Sequence, residues 1–129
     1  MIYCIPEDVI RGNVRLSDER AEVDTVYCIA QAVTHMRTAL ESLVDFDSIE
    51  ELDEPPEVLR LIVITKAKEL AYRQYWRDAS PGKEVEQYAE DYNAQIKRLR
   101  DDLRAGYLSS RLDKRSKEGV RKLAKVSFI

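Results

Sequence analysis

Residues 55–76 read PPEVLRLIVITKAKELAYRQYW and decide the fold of the chain. A proline pair opens the stretch, and Pro56 suits the first position of a helix, where the missing N–H has no partner in any case. One face carries the apolar residues that recur at helical spacing, namely Val58, Leu59, Ile62, Ala67, Leu70 and Ala71. Leu61, Val63 and Ile64 fill a second face, and good helix formers continue the pattern beyond them. We predict one helix from Pro56 to Trp76 that needs neighbours on several sides, supplied by the same subunit or by others.

The composition is typical of a soluble helical protein. The chain has 129 residues, of which 44% are hydrophobic and 35% charged, with four Gly and four Pro. This length suits one domain. Arg60, Lys66 and Lys68 interrupt the most apolar run, which therefore falls short of the roughly 18 residues of a membrane span. The first residues lack the basic start of a signal peptide, so we expect a reducing cytoplasm, with Cys4 and Cys28 as buried thiols.

The net charge of −3 hides an asymmetry along the chain. Residues 1–106 carry 14 Lys and Arg against 22 Asp and Glu, a net charge of −8. Residues 107–129 carry seven basic residues against two acids, a net charge of +5. We therefore divide the chain into a helical domain, residues 1–106, and a basic C-terminal tail, residues 107–129, that docks on a partner.

Two helices are predicted before the central one. Pro6 and the acids after it begin a short helix that Gly12 ends. Ser17 is the predicted N-cap of a long helix that runs to about Val44. The apolar stripe predicted for this long helix consists of Val23, Val26, Tyr27, Ala30, Val33, Ala39, Leu40, Leu43 and Val44.

The last predicted helix starts near Ser80 and Pro81 and ends at Gly106. Its apolar residues follow a narrow stripe of Val85, Ala89, Tyr92, Ile96, Leu99 and Leu103. Such a stripe packs along one other helix, and the charged remainder is either a solvated surface or a subunit interface. The predicted fold is all-α: an antiparallel bundle of three long helices plus a short N-terminal helix, with an extended C-terminal tail.

Residues 45–54 are predicted to form an acidic loop without a single basic residue. Its acids are Asp45, Asp47, Glu50, Glu51, Asp53 and Glu54. The spacing is not that of an EF-hand loop, and the turn glycine is missing. We therefore interpret the segment as a solvated acidic loop rather than a calcium site.

No group of residues in the sequence points to catalysis. The single histidine, His35, falls in the middle of a predicted helix, where packing or an interface is the favoured role. There is no Cys/His cluster of zinc spacing, no glycine-rich phosphate loop and no nucleophile signature. We expect no enzyme activity, cofactor or metal. Tyr72, Tyr75 and Trp76 are able to stack on nucleic-acid bases, but core packing is the favoured interpretation.

The tail combines basic residues with an apolar segment, residues 126–129. An apolar segment on a basic tail is poorly stable alone in water, so we expect it to contact a partner. Val120, Leu123 and Ala124 form either a helical turn or a strand edge, and both remain open. The candidate partner-binding residues are Arg111, Lys114, Arg115, Lys117, Arg121, Lys122, Lys125, Phe128 and Ile129.

The order of these elements resembles the small helical head–tail adaptor (connector) proteins of long-tailed bacteriophages, including the Mu-type family. The matching features are a short helix at IPEDVI (residues 5–10), a long helix, and an irregular loop leading to PPEVLR (residues 55–60). An apolar helix rich in Ala and Tyr follows, and a last helix closes on LRDDLRAGYL (residues 99–108). The resemblance covers about residues 3–108.

The resemblance implies a structural virion protein of the neck, made in the host cytoplasm. Such adaptors form a dodecameric ring below the portal and extend the DNA channel, and DNA passes through the lumen without sequence-specific binding. Their C-terminal segments reach the portal protein, and the opposite face receives the stopper or tail completion protein. The tail residues named above become candidates for portal binding, and the six acids of residues 45–54 become candidates for the channel lining. No membrane is involved.

Two other classes of function stay open. A small nucleic-acid-binding helical protein would use its basic tail on phosphates, with Lys114, Arg115, Lys117, Arg121 and Lys122 as the contacts. The acidic helical domain argues against this class. An enzyme or enzyme subunit is the second alternative, and it requires a pocket with perturbed titratable groups.

Overall fold

The computed structural model describes residues 1–11, 24–75 and 83–105, which contain five helices and no strand. The helices are α1 (Pro6–Ile10), α2 (Thr25–Leu40), α3 (Phe46–Ile49), α4 (Glu57–Tyr75) and α5 (Lys83–Ala105). The predicted all-α fold class is therefore confirmed for the described residues. The predicted tail, residues 107–129, lies outside them.

Helix α4 lies at the centre of the core. The carbonyl of Pro56 accepts the first hydrogen bonds of the helix, from the backbone N–H groups of Leu59 and Arg60, both at 3.0 Å. The residues of α4 with at most 1% exposure are Leu59, Ile62, Val63, Ala67 and Ala71. Both α2 and α5 pack against α4. The predicted central helix, with neighbours on more than one side, is thus confirmed. Its predicted last residue, Trp76, lies outside the described residues.

The second apolar face of α4 is only partly covered. Val63 and Ile64 are buried as predicted, whereas Leu61 is 47% exposed. Leu70, predicted on the buried face, is only partly buried. Leu61 lies at the rim of the α4–α5 contact, beside Val58, and no neighbour from the described part of the same chain covers it fully.

Helix α2 buries a different face from the predicted one. Its buried residues recur every four positions, as Cys28, Ala32, Met36 and Leu40. Val26 and Tyr27 of the predicted stripe are instead 67% and 52% exposed. Cys28 and Ala32 are small, and a helix lies close to its neighbour across small side chains. The end of the predicted stripe is correct, because Leu40, Leu43 and Val44 are buried. The predicted end of the helix near Val44 is wrong, since α2 ends at Leu40.

The start of α2 is fixed by a capping residue that the sequence pattern did not single out. One carboxylate oxygen of Asp24 accepts from the backbone N–H of Tyr27 at 3.0 Å, and the helix begins at Thr25. The backbone N–H of Asp24 donates to the side-chain oxygen of Gln74, at 2.9 Å. This bond places the start of α2 beside the end of α4. The predicted cap, Ser17, lies outside the described residues.

Helix α5 uses the narrow apolar stripe that its sequence predicts. The buried residues of this helix are Val85, Tyr92, Ile96, Leu99 and Leu103. Ala89 of the same stripe is partly buried. The predicted start at Ser80 and Pro81, and the predicted stop at Gly106, lie outside the described residues. Most of the remaining α5 surface is exposed, because α5 is covered mainly on the side that packs against α4.

The N-terminal segment packs on α4 through both apolar and charged contacts. Tyr3, Cys4 and Val9 are buried in the core. A carboxylate oxygen of Asp8 in α1 lies 3.2 Å from the guanidinium of Arg60 in α4. The predicted short helix is therefore confirmed, and an ion pair holds it near the start of α4.

We expect Ile62→Ala to lower the free energy of unfolding by about 2–5 kcal/mol, because a side chain with 1% exposure leaves a cavity behind. Leu61→Ala removes a side chain of the same size from the next position. Since Leu61 is 47% exposed, this change should cost no more than about 1 kcal/mol. Urea unfolding followed by far-UV circular dichroism measures both values. Equal losses would show that α4 is rotated relative to the described packing.

Candidate interaction surfaces

The segment predicted as an acidic loop contains one turn of helix. The carboxylate of Asp45 accepts from the backbone N–H of Ser48 at 3.2 Å and from its hydroxyl at 3.1 Å, which caps α3. Phe46 and Ile49 are buried. The loop prediction is therefore wrong for residues 46–49, because two apolar side chains three positions apart give this turn a buried side.

Glu50 joins three parts of the chain. Its Oε2 lies 2.9 Å from the amino group of Met1, and its Oε1 lies 3.3 Å from Nη1 of Arg37 in α2. The guanidinium of Arg37 also lies 5.1 Å from the centroid of the Phe46 ring, a cation–π contact. Two of the six candidate channel acids, Glu50 and Asp45, thus make contacts within the folded chain.

The other four candidate acids lie on the connection between α2 and α4. We refer to these residues, Asp47, Glu51, Asp53 and Glu54, as the acidic surface. None of them forms an ion pair with another residue of the described ranges. Their carboxylates carry like charge, so this surface attracts cations and repels phosphates over about one Debye length, roughly 8 Å in physiological salt.

Helix α5 ends at the same end of the fold as the acidic surface. Nε and Nη2 of Arg100 in α5 donate to the carbonyl of Ala39, in the last turn of α2, at 3.1 and 2.6 Å. Asp102 of α5 lines one groove with Val58 of α4. The last turns of α5 therefore lie beside the two helix ends that flank residues 45–54. All nine candidate portal-binding residues follow α5 and lie outside the described residues.

A buried ion network joins α4 to α5. Glu69 is 4% exposed, and its two carboxylate oxygens lie 3.0 Å from Nζ of Lys66 and 2.9 Å from Nε of Arg73. The Lys66 ammonium lies 4.7 Å from the centroid of the Tyr92 ring. Burial raises the pKa of the Tyr92 phenol, the Glu69 carboxylate raises it further, and Arg100 opposes both. Both cations that Glu69 binds belong to α4, so the link of this network to α5 is the contact of Lys66 with the Tyr92 ring.

The aromatic residues at the end of α4 contribute to the core. Tyr72 is 5% exposed, and its ring stacks on that of Tyr88 in α5 with the centroids 5.6 Å apart. The prediction of core packing is therefore confirmed for Tyr72. The side chain of Tyr75 and all of Trp76 lie outside the described part of the chain.

Both cysteines are buried thiols, as predicted. Burial raises the pKa of the Cys4 thiol to about 11, with a smaller contribution from Asp8 and an opposing one from Arg60. Burial likewise raises the pKa of the Cys28 thiol to about 11, with a smaller contribution from Asp24. Because the thiolate is the reactive form, both side chains are poor nucleophiles near neutral pH.

The described ranges contain neither a metal-binding cluster nor a membrane-spanning helix. Within residues 1–11, 24–75 and 83–105, no group of three or more His, Cys, Asp or Glu is placed to hold a metal ion. No helix of these ranges is long and apolar enough to cross a membrane. His35 is exposed on α2.

An open groove between α4 and α5 is the feature that the sequence pattern did not reveal directly. Its volume is about 340 Å³, and its lining includes Val58, Leu61, Ile62 and Leu99. The spacing of apolar residues in α4 and α5 did indicate that a groove of this kind would exist. The stripe of α5 is too narrow to cover a helix that is apolar on two faces, so part of α4 remains open.

We compared the chain with protein-family models, with curated proteins and with solved structures, and no match was found.

We expect both native thiols to react slowly with a disulfide reagent at about pH 8, because pKa values near 11 reduce the thiolate fraction about 100-fold relative to an ordinary value of 9.0. Denaturation in urea should release two fast-reacting thiols. The variant Val26→Cys supplies a control, since it adds a thiol at an exposed position that should react quickly in the folded state. Two fast thiols in the native chain would contradict the described burial.

Proposed function

We propose that the chain is a structural virion protein, a head–tail adaptor that forms a dodecameric ring below the portal and extends the DNA channel towards the tail. In this proposal α2, α4 and α5 form an antiparallel bundle, and residues 107–129 extend from it as a tail. The role is structural rather than catalytic, without a cofactor. The site of action is the neck of the virion, and the subunits are made in the host cytoplasm.

The separation of charge in the chain carries the proposal. The acidic surface and the last turns of α5 lie at the same end of the fold, and seven basic residues follow α5 in residues 107–129. A basic segment that begins beside an acidic surface suits contacts between subunits and with a partner ring. A ring whose bore carries the acidic surface would repel the phosphates of passing DNA rather than bind them.

The tail supplies the portal contacts in this proposal. Its basic residues would pair with acids of the portal, and Phe128 and Ile129 would enter an apolar groove there. Each subunit adds only weak contacts, but the tails of one ring bound to one portal act together. The opposite face of the ring would receive the stopper or tail completion protein.

We expect deletion of residues 107–129 to leave the helix content and melting temperature of the remaining chain nearly unchanged, because the described core lies entirely before the tail. The same deletion should abolish binding to the portal and leave filled heads without tails. Circular dichroism, portal co-sedimentation and electron microscopy of lysates are the measurements.

A matched control for the deletion replaces Val26, an exposed residue of α2, with Ala and should bind portals normally. Full portal binding by the shortened chain would place the docking surface elsewhere. Native mass spectrometry tests the ring itself, since twelve copies of a 15.0 kDa chain give about 180 kDa. A monomer that shifts DNA mobility in a salt-dependent way would instead support the nucleic-acid-binding alternative.

We expect replacement of the four residues of the acidic surface by Lys to impair DNA ejection, because a basic bore would bind passing phosphates. The control reverses three exposed acids of α5, Glu86, Glu90 and Asp91, and should have a smaller effect. DNA release from assembled particles, followed by fluorescence of an intercalating dye, measures both. Unchanged release by the first variant would remove these residues from the channel lining.

A further inference from the structure

The groove between α4 and α5 offers an apolar floor with polar groups at its edges. Ile62 and Leu99 are buried beneath it, while Leu61 is 47% exposed and forms its most accessible apolar surface. Arg98 and Asp102 supply one charge of each sign. A groove with this lining suits a short apolar segment with polar flanks.

Gln95 of α5 lies in the lining and bonds to α4. Its Nε2 donates to the hydroxyl of Thr65 at 3.1 Å, and that hydroxyl in turn donates to the carbonyl of Leu61 at 2.9 Å. Its Oε1 is buried and has no hydrogen-bond partner among the described residues.

Residues 125–129 of the same chain have the matching chemistry. They read Lys-Val-Ser-Phe-Ile, so one cation precedes two apolar positions, Val126 and Phe128, which lie on the same side of an extended segment. Asp102 at the groove edge is the complementary charge for Lys125. The apolar positions match the surface formed by Leu61.

The groove is within reach of this segment. Asp102 lies three residues before Ala105, where α5 ends, and Gly106 follows, the residue type that most readily reverses a chain after a helix. Residues 106–125 span at most about 70 Å when extended and about 30 Å as a helix. The groove edge lies about 5 Å back along α5, so either length is sufficient.

We propose that residues 126–129 occupy the α4–α5 groove of their own subunit, with Phe128 packed on Leu61 and Lys125 paired with Asp102. The site and its occupant go beyond the adaptor proposal and do not depend on it. In an assembled neck, the same segment would have to leave this groove before Phe128 and Ile129 enter the groove of the portal.

We favour binding of residues 126–129 to the groove of their own subunit, rather than to that of a second copy, because the contact area is small. A few apolar side chains in an open groove give weak binding, since part of their surface stays in water. A tether of about 20 residues supplies an effective concentration on the order of millimolar. A contact of millimolar affinity is thus populated within one chain, but not between chains at micromolar concentration.

Disulfide cross-linking tests the proposal in the full chain. The paired variant Leu61→Cys, Phe128→Cys is oxidised with diamide, beside the control pair Val26→Cys, Phe128→Cys. Both new positions on the helices are exposed, so neither change should disturb folding, and the native thiols are buried. We expect the first pair to form an intramolecular bond at least about ten times faster than the control pair. Peptide mass spectrometry identifies the bond.

Two results would overturn the proposal. Equal rates for the two pairs would show that the groove does not hold the segment. A disulfide between the two introduced thiols of the first pair that joins two chains, at a rate that rises with protein concentration, would assign the groove to a second copy.

Hydrogen exchange provides a measurement without added thiols. Leu61→Lys places a charge in the groove, and its control, Val26→Lys, places one on an exposed part of α2. We expect the first variant to raise exchange of the amides of residues 126–129 up to about twofold, as loss of a half-populated contact implies, and the control to leave it unchanged. Unchanged exchange in both variants would contradict the proposed contact.

Discussion

Burial of α4 on two sides is the constraint on which the described fold depends. A helix with apolar residues on more than one face is unstable in water, and its burial against α2 and α5 removes most of that surface. The neighbours meet it in different ways. Helix α2 approaches across the small side chains of Cys28 and Ala32, whereas α5 brings the larger ring of Tyr92 and the side chains of Ile96 and Leu99. The volume between the helices is filled from both sides.

Polar contacts then fix where the helices lie along one another. Asp24 bonds to Gln74 where α2 begins and α4 ends, and Arg100 bonds to the carbonyl of Ala39 where α2 ends. Asp8 pairs with Arg60 where α4 begins. Apolar packing alone tolerates sliding by a turn, but directional bonds at both ends do not. Midway along α4, Glu69 pairs with Lys66 of the same helix, and the ammonium of Lys66 contacts the Tyr92 ring of α5.

The sequence predicts those parts of the fold in which large apolar residues mark a face. The helical nature of α4 and the buried stripe of α5 are clear from spacing alone. The face of α2 was mispredicted because Cys28 and Ala32 carry little apolar surface, so the larger Val26 and Tyr27 dominated the pattern. Long-range partners such as Ala39 for Arg100 are invisible in sequence, since they are 61 residues apart. The α4–α5 groove could be anticipated as uncovered surface, but not its lining.

The contact of Arg100 with Ala39 has a mechanical consequence. Two N–H groups on one carbonyl oxygen act as a pivot: α5 can tilt about that point but cannot slide along α2 without breaking both bonds. A tension applied at Ala105 passes through the last turn of α5 before it reaches Arg100. There the two bonds transfer part of the load, as shear, to the last turn of α2, immediately before the acidic surface.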